Sequence, residues 1–423
     1  MKLLNGVALA ALTLTTTAAM AEGEVSVWSW GSAAPGLQAT VEGFNALHPD
    51  ITVNIEKLGY SDVKSRVLAA CAAGGTGLPD VFQFQNVEME LISAQFPDCA
   101  ADLVPLGFTA DKQAQFPEFK LFALRDGDRM IGMPWDSGPS MMFYRRDFYE
   151  NAGVSPDDIE TWGDFIEAGK KVQAANDGVI MTNDNLNGGT EFLQMISNEQ
   201  GCGFFSAAGD EITVAQPGCV AALETLGKLS EEGLVTAGNF GERVQNLSAG
   251  TVATLMSGAW MEGVIRNNAP EDQSGKWGIM LMPSVTEGGS RAANYGGSLL
   301  AVAGNSDNKD NAFTFLDYAL GTNEGQVAML KDQGLVPSLV SALDDPYVQQ
   351  PQAFWGDQKI WELVLGRLEV IEPMNGTSFF SDADQVLQSV QTKFLNGDYG
   401  SAQEAMDDAA LQISFATGLD VAN

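Results

Sequence analysis

The sequence predicts an α/β fold divided into about two domains. Three observations carry this: strand and helix signals alternate from Glu22 onward, the 423 residues are 45% apolar, and aromatic residues and glycines gather at the ends of the strand signals. A chain of this size and composition can bury a large core. Glycine- and aromatic-rich strand ends are where an open α/β sheet leaves a crevice for a ligand.

The elements follow in order. Lys2, the short apolar run Val7 to Leu14 and the small-residue triplet Ala19-Met20-Ala21 predict a cleavable secretory leader, with the mature chain starting at Glu22. The run is too short to span a bilayer, and no cysteine follows the cleavage point to take a lipid; a free protein of the periplasm is expected. Val25 to Trp30 then reads as a strand running into Gly31. Ile51, Val53 and Ile55 alternate with Thr52, Asn54 and Glu56, as a strand covered on one face would, and Val81 to Phe84 suits a buried parallel strand. Met130 to Pro134 reads as another strand, ending at Trp135-Asp136-Ser137-Gly138. Thr161 with Asp164 forms a capping-box start for a helix whose face carries Trp162, Phe165, Ile166, Gly169 and Val172. Ala312, Phe315, Leu316, Ala319 and Leu320 line a later one.

Charge narrows the partners. With 22 Lys plus Arg against 55 Asp plus Glu, the net charge of -33 repels a phosphate backbone, so no nucleic acid partner is expected. Cys71, Cys99, Cys202 and Cys219 in an exported chain should pair, and four cysteines allow three connectivities. No C-x-x-C pair accompanies them and the chain has a single histidine, so no metal site is expected.

Catalytic signatures are missing. No G-x-S-x-G elbow occurs, and His48, the one imidazole, falls in the turn Leu47-His48-Pro49-Asp50. Gly74-Gly75-Thr76-Gly77 lacks the lysine of a phosphate loop and reads as a plain loop. Asn183-Asp184-Asn185-Leu186-Asn187-Gly188 has the spacing of a calcium loop, but amides stand at its odd positions and Gln194 at the twelfth, where a bidentate Glu belongs. Neither a catalytic residue nor a cofactor is predicted. A secreted glycoside hydrolase working with two cleft carboxylates stays as an alternative, because only the fold can place such a pair.

What the sequence does carry is tryptophan beside planar polar groups. Trp30, Trp135, Trp260 and Trp355 have Ser32, Asp136, Glu262 and the pair Asp357 and Gln358 as neighbours. A sugar ring offers an apolar C–H face to an aromatic plane and a rim of hydroxyls to amides and carboxylates. A polyamine would suit the acidity too, so a binding protein for another solute is the second alternative.

Nine segments in order resemble one family. They are VSVWSWG at Val25, FNALHPDITV at Phe44, AAGGTGLPDVFQF at Ala72, IGMPWDSGPSMMFYRRDFYENAG at Ile131, ETWGDFIEAGKKV at Glu160, SNEQGCGFF at Ser197, LSAGTVATLMSGAW at Leu247, NYGGSLLAV at Asn294 and FWGDQKIWELV at Phe354. Over its mature length the chain resembles the sugar-uptake solute-binding proteins of ABC transporters, the extracellular solute-binding protein family 1 that includes maltose-binding protein. The resemblance implies the periplasmic binding protein-like class II fold: two α/β lobes joined by a hinge, with an interlobe ligand cleft. It also implies a monomer that holds a neutral mono- or oligosaccharide and delivers it to ABC permease subunits in the inner membrane. The N-terminal lobe would take Glu22 to Ser137 plus Leu299 to Leu343, and the C-terminal lobe Gly138 to Ser298 plus Asp344 to Asn423. Family contact positions would fall on Trp30, Ser32, Gln85, Asn86, Asp136, Asn185, Asn187, Trp260, Tyr295, Gly296, Gly297, Trp355 and Gln358. Gly296 and Gly297 would let the backbone approach the ligand.

Overall fold

A computed structural model of the protein describes residues 23–373 and 377–422, so the expected leader lies outside the described residues. In chain order the strands that build its two main sheets and the link between them are β1 (Gly23–Trp30), β2 (Ile51–Leu58), β3 (Val81–Gln85), β4 (Met133–Pro134), β5 (Asp136–Ser137) and β6 (Ser140–Arg145). They continue with β7 (Ile180–Asp184), β8 (Val235–Ala237), β9 (Val252–Gly258), β10 (Trp277–Leu281), β11 (Ser298–Val302) and β12 (Val336–Pro337).

Period-two patterning decides which face each strand buries. In β1, Val25, Val27 and Ser29 point inward while Trp28 and Trp30 stay half-covered, and β2 buries Val53 while exposing Thr52 and Asn54. The run Val81 to Phe84 is buried at every position, as a central strand covered on both faces should be. The expected Met130 to Pro134 strand divides in two: Arg129–Met130 pairs with Arg125–Asp126, and only β4 joins the sheet, after Ile131 and Gly132.

The first sheet has the order β2-β1-β3-β11-β4, with β2, β1 and β3 parallel and β11 antiparallel to both its neighbours. The second has the order β8-β7-β9-β6-β10, parallel across β8, β7 and β9 and antiparallel from β6 outward. Each has helices on its faces, and each has its own core. Val27, Phe44, Val81, Phe84, Leu299 and Leu316 belong to the first, and Phe165, Phe192, Leu223, Met256 and Met406 to one face of the second. A third cluster, with Phe143, Trp277, Trp355 and Trp361, covers the other face of the second sheet and takes in Leu330 and Val336.

The helix Trp162–Ala175 starts at the expected capping box, Thr161 Oγ1 accepting from Asp164 N at 3.2 Å and Asp164 accepting from Thr161 N at 2.9 Å. Trp162, Phe165, Gly169 and Val172 are buried along it, with Ile166 half-buried at the edge. In the helix Lys309–Gly321 the apolar stripe from Ala312 to Leu320 is buried throughout. The cysteines pair sequentially. Cys71 bonds Cys99 across 28 residues and Cys202 bonds Cys219 across 17, with Cα–Cα distances of 5.2 and 5.6 Å.

The chain leaves the first sheet at β4, passes through β5, which pairs with β12, and enters the second sheet at β6. It returns between β10 and β11, and beyond β12 the segment from Val348 to the helix Ala402–Thr417 packs on the second sheet's two clusters.

Candidate functional site

Two groups of half-exposed aromatic residues form where parallel strands end. Trp30 closes β1, and its indole meets Tyr60, the first residue of the helix Tyr60–Ala72, edge to face with centroids 5.3 Å apart. The Tyr60 hydroxyl donates to Glu88 at 2.9 Å and reaches Gln85 at 3.5 Å, while Lys64 pairs with the same carboxylate. Burial and the neighbouring Glu88 charge hold the Tyr60 phenol well above its ordinary pKa. Ser32 sits half-buried before the short helix Ala33–Gln38, its side chain making no cap.

On the second sheet Trp260 follows β9. Its Nε1 donates to Tyr295 O at 3.0 Å, and its ring lies 6.4 Å from Tyr295 and 6.2 Å from Phe240. Phe240 is 51% exposed and opens the helix Phe240–Ala249, which begins with a second capping box, Asn239 with Glu242. One turn on, Arg243 is buried; its Nη2 donates to Met256 O at 3.0 Å and its Nη1 lies 3.7 Å from both Asp184 and Glu191. Asp184 ends β7 and Glu191 starts the helix Glu191–Glu199. Asn185 Nδ2 lies 3.5 Å from Glu191. Asn187 is exposed. Burial raises both carboxyls, Glu191 to about 7 with the Asp184 charge adding to the shift and Arg243 opposing it.

Asp384, on the helix Phe380–Leu395, relates the two groups. It accepts from Thr190, and its charge acts on both Tyr60 and Tyr295, raising each phenol. Asp384 is thus an electrostatic link between the two aromatic groups. The expected residues Trp30, Ser32, Gln85, Asn185, Trp260 and Tyr295 belong to this region, at carboxyl ends of β1, β3, β7 and β9 and in the return segment before β11.

Other expected contact residues have different work. Asn86 and Asp136 form a buried network with Lys120: the ammonium donates to Asn86 Oδ1 at 2.8 Å, Asp136 O at 2.6 Å and Ser298 O at 3.1 Å. Asp136 Oδ1 accepts from Ser298 N at 2.8 Å. Burial pushes the Lys120 ammonium down to about 8 and the Asp136 carboxyl up, each resisted by the other's charge. These residues tie β5 to β11 where the chain passes between sheets. Gly296 and Gly297 have φ of 85° and 93°; a Cβ on the first would stand 2.9 Å from Trp260 Nε1, and on the second 2.9 Å from Asp136 O and Lys120 Nζ. Their lack of a side chain is required by contacts within the protein.

Trp355 and Gln358 correct the expectation, as does Trp135 among the tryptophans read as platforms. Trp355 is fully buried against Phe143, Trp277 and Phe354, with Nε1 donating to Glu262 at 2.8 Å. Trp135 is equally buried in the first core. Both indoles are flat apolar volume filling the back of a sheet. Gln358 pairs its amide with the β10 backbone, Oε1 accepting from Ile279 N at 2.9 Å and Nε2 donating to Ile279 O at 2.6 Å, so it covers a free sheet edge. The calcium-loop spacing is interrupted as well, since Asn183 and Asp184 complete a strand. Among the described residues no group of three or more metal-ligating side chains converges, and no helix is long and apolar enough to cross a membrane.

Sequence reasoning missed Tyr60, Glu88, Asp184, Glu191, Phe240, Arg243 and Asp384. The Asn239-x-x-Glu242 signature could have located two of them. It marks a helix start, and a cation one turn into a helix opposes the macrodipole, so Arg243 needs another reason to be there.

The model of the bacterial extracellular solute-binding protein family matches residues 29–326. A lactose-binding protein of Rhizobium radiobacter is 31% identical over 389 residues, covering 89% of each chain. An arabinooligosaccharide-binding protein of Bacillus subtilis is 27% identical, over 88% of this chain and 87% of its own. Among solved structures, the binding protein of Bifidobacterium animalis subsp. lactis in complex with β-1,6-galactobiose superposes with a TM-score of 0.78 at 24% identity, covering 95% of this chain and 99% of that one. The sugar-binding protein MalE of Xanthomonas citri does so with 0.76 at 19%, over 93% and 96%. A two-lobed α/β architecture, strand-end aromatic groups and a family match across most of the length lead to one conclusion: the chain belongs to the bacterial extracellular solute-binding protein family.

Proposed function

We propose that the protein is the carbohydrate receptor of an ABC importer, capturing a neutral mono- or oligosaccharide between its lobes and delivering it to the membrane permease. The observation that carries the reading is the pair of aromatic groups, Trp30 with Tyr60 and Phe240 with Trp260 and Tyr295, set at strand ends of two different sheets. Aromatic planes beside carboxylates, amides and a guanidinium match the two surfaces of a sugar. Relatives that bind lactose and arabinooligosaccharides support the class.

The lobes would divide as residues 22–137 with 299–343, and 138–298 with 344–423, the hinge lying at β5 and its partner β12. Ligand contacts on both lobes stabilise the closed state over the open one, so capture and closure are one event. Both walls come from one chain, which lets it act as a monomer, and it breaks no bond. Export through a cleavable leader would place it in the periplasm, beside the permease. Calorimetry of the purified mature chain against lactose, β-1,6-galactobiose, arabinose oligomers and maltose tests the reading. One of them should bind with a Kd of about 1 µM, roughly -8 kcal/mol. No heat from any sugar at millimolar concentration, or release of product from an aryl glycoside, overturns it.

A further inference from the structure

Resting on the reading as a saccharide receptor, we propose that Arg243, clamped between Asp184 and Glu191, is the specificity-determining residue of the second-sheet wall. It takes a ring hydroxyl of a neutral sugar between its guanidinium and the two carboxylates, and the surrounding acid turns anionic sugars away.

The argument begins with unspent hydrogen-bonding capacity. Arg243 is 2% exposed and Asp184 fully buried, yet Arg243 Nε, Asp184 Oδ1 and Glu191 Oε2 have no hydrogen-bond partner among the described residues. The 3.7 Å separations from Arg243 Nη1 to Asp184 Oδ1 and to Glu191 Oε1 exceed the 2.7–2.9 Å of a charge-assisted bond. The guanidinium is thus held by charge on both sides without being bonded on either. Leaving one buried polar group unsatisfied costs about 1–3 kcal/mol. Three such groups, one on each member of a single ion cluster, are the arrangement expected of a site completed from outside.

A hydroxyl fits that demand because it accepts and donates through one oxygen. It accepts from Arg243 and gives its proton to Asp184 or Glu191; a vicinal pair of hydroxyls engages the guanidinium fork twice. The placement suits a sugar's other surface as well. Phe240 and Arg243 lie one turn apart on the same helix, and the Phe240 ring leads to Trp260 and Tyr295. The charges of Glu191, Arg243, Asp184 and Asp384 all reach Tyr295. With Asp384 joined to the cluster through Thr190, acidic groups outnumber the one guanidinium even where Glu191 is partly protonated, and the wall opposes a uronate or a phosphorylated sugar by like-charge repulsion in a poorly screened setting.

The test uses the mature full-length chain and the tightest-binding member of the sugar panel above, together with the same sugar oxidised to the carboxylate at C6. Wild type should prefer the neutral sugar by at least 100-fold. Arg243→Met should lose 30-fold or more in affinity for it, and Arg243→Lys, which keeps the charge and lacks the fork, should recover less than half of that loss on a logarithmic scale. Glu191→Gln keeps the shape and removes one charge; it should lose about fivefold for the neutral sugar and narrow the discrimination against the carboxylate by tenfold or more. A purely structural role for these residues would lower the melting temperature and leave that ratio unmoved. If Arg243→Met does not fold, the Glu191→Gln ratio decides alone. Affinity within threefold of wild type in a folded Arg243→Met, or an unchanged ratio in Glu191→Gln, overturns the assignment while the receptor reading stands. A panel silent against wild type overturns both.

Discussion

Asn86 spends both ends of its amide on Lys120. Its Oδ1 accepts from Nζ at 2.8 Å and its Nδ2 donates to the Lys120 carbonyl at 3.1 Å. The pair joins the helix Asn86–Gln95 to the short helix that holds Lys120, next to the passage between sheets. Asn86→Leu should therefore act on stability: it strips one acceptor from a buried ammonium and leaves a carbonyl unpaired, at a cost of roughly 1.5–3 kcal/mol. Urea denaturation measures this directly. Unchanged stability with weakened sugar binding would return Asn86 to the ligand.

The tryptophans separate into two kinds, and truncation distinguishes them. Trp260→Ala removes a half-exposed platform, so affinity should fall at least tenfold with a small loss of stability. Trp355→Ala empties a fully buried volume and frees Glu262, so it should cost about 3–5 kcal/mol of stability. Thermal melts and titrations on both variants give the comparison. Loss of affinity at unaltered stability in Trp355→Ala would contradict its place in the core.

Gln358 stands in for a missing strand beside β10. Gln358→Leu should leave the Ile279 N–H and carbonyl without their partner, expose a sheet edge, and cost about 1–3 kcal/mol while sugar affinity holds. Amide exchange at Ile279 reads the change most locally; protection retained there would refute the pairing.

The contrast between Trp260 and Trp355 explains how far the sequence could be read. Periodicity is local, so it identified the buried stripes of Val25 and Val27, Ala312 to Leu320, and the box at Thr161. Side-chain partners are not local. Asn86 is consumed by a lysine 34 residues away and Gln358 by a backbone 79 residues away. Nothing around Trp135 or Trp355 differs in kind from what surrounds Trp30; only the second layer of helices, assembled from distant segments, seals the former and leaves the latter half-covered. The family likeness pointed to strand ends where half-covered aromatic residues do gather, while the charged cluster of Asp184, Glu191 and Arg243 comes from three separate elements.

The two disulfides close loops of 28 and 17 residues, so each should contribute roughly 3–4 kcal/mol by restricting the unfolded chain. Guanidinium denaturation with and without reductant should show a lowered midpoint. The double variant Cys202→Ser and Cys219→Ser should lose the smaller share, because its loop is shorter. A midpoint insensitive to reductant would remove the cross-links from the stability argument.

Glu191 gives a pH dependence with a definite sign. Its folded-state value rises from 4.5 to about 7, chiefly through burial and then the adjacent Asp184 charge, with Arg243 pulling the other way and Asp384 acting on the same Tyr295. Between those two values the folded chain binds more protons at this site than the unfolded chain, so the site's contribution is fully present below 4.5 and fades as the pH climbs through 7. Glu191→Gln stays uncharged throughout. Its stability relative to wild type should grow from pH 4.5 to 7 and then level off, with a gain of about 1–3 kcal/mol, seen by denaturation at stepped pH. The same variant should bind sugar more weakly, so stability and affinity move in opposite directions, as expected where a charged group is buried for its function rather than for the fold. A flat difference across that window would mean that Glu191 ionises as an ordinary surface carboxylate, and the charged clamp around Arg243 would lose one of its two arms.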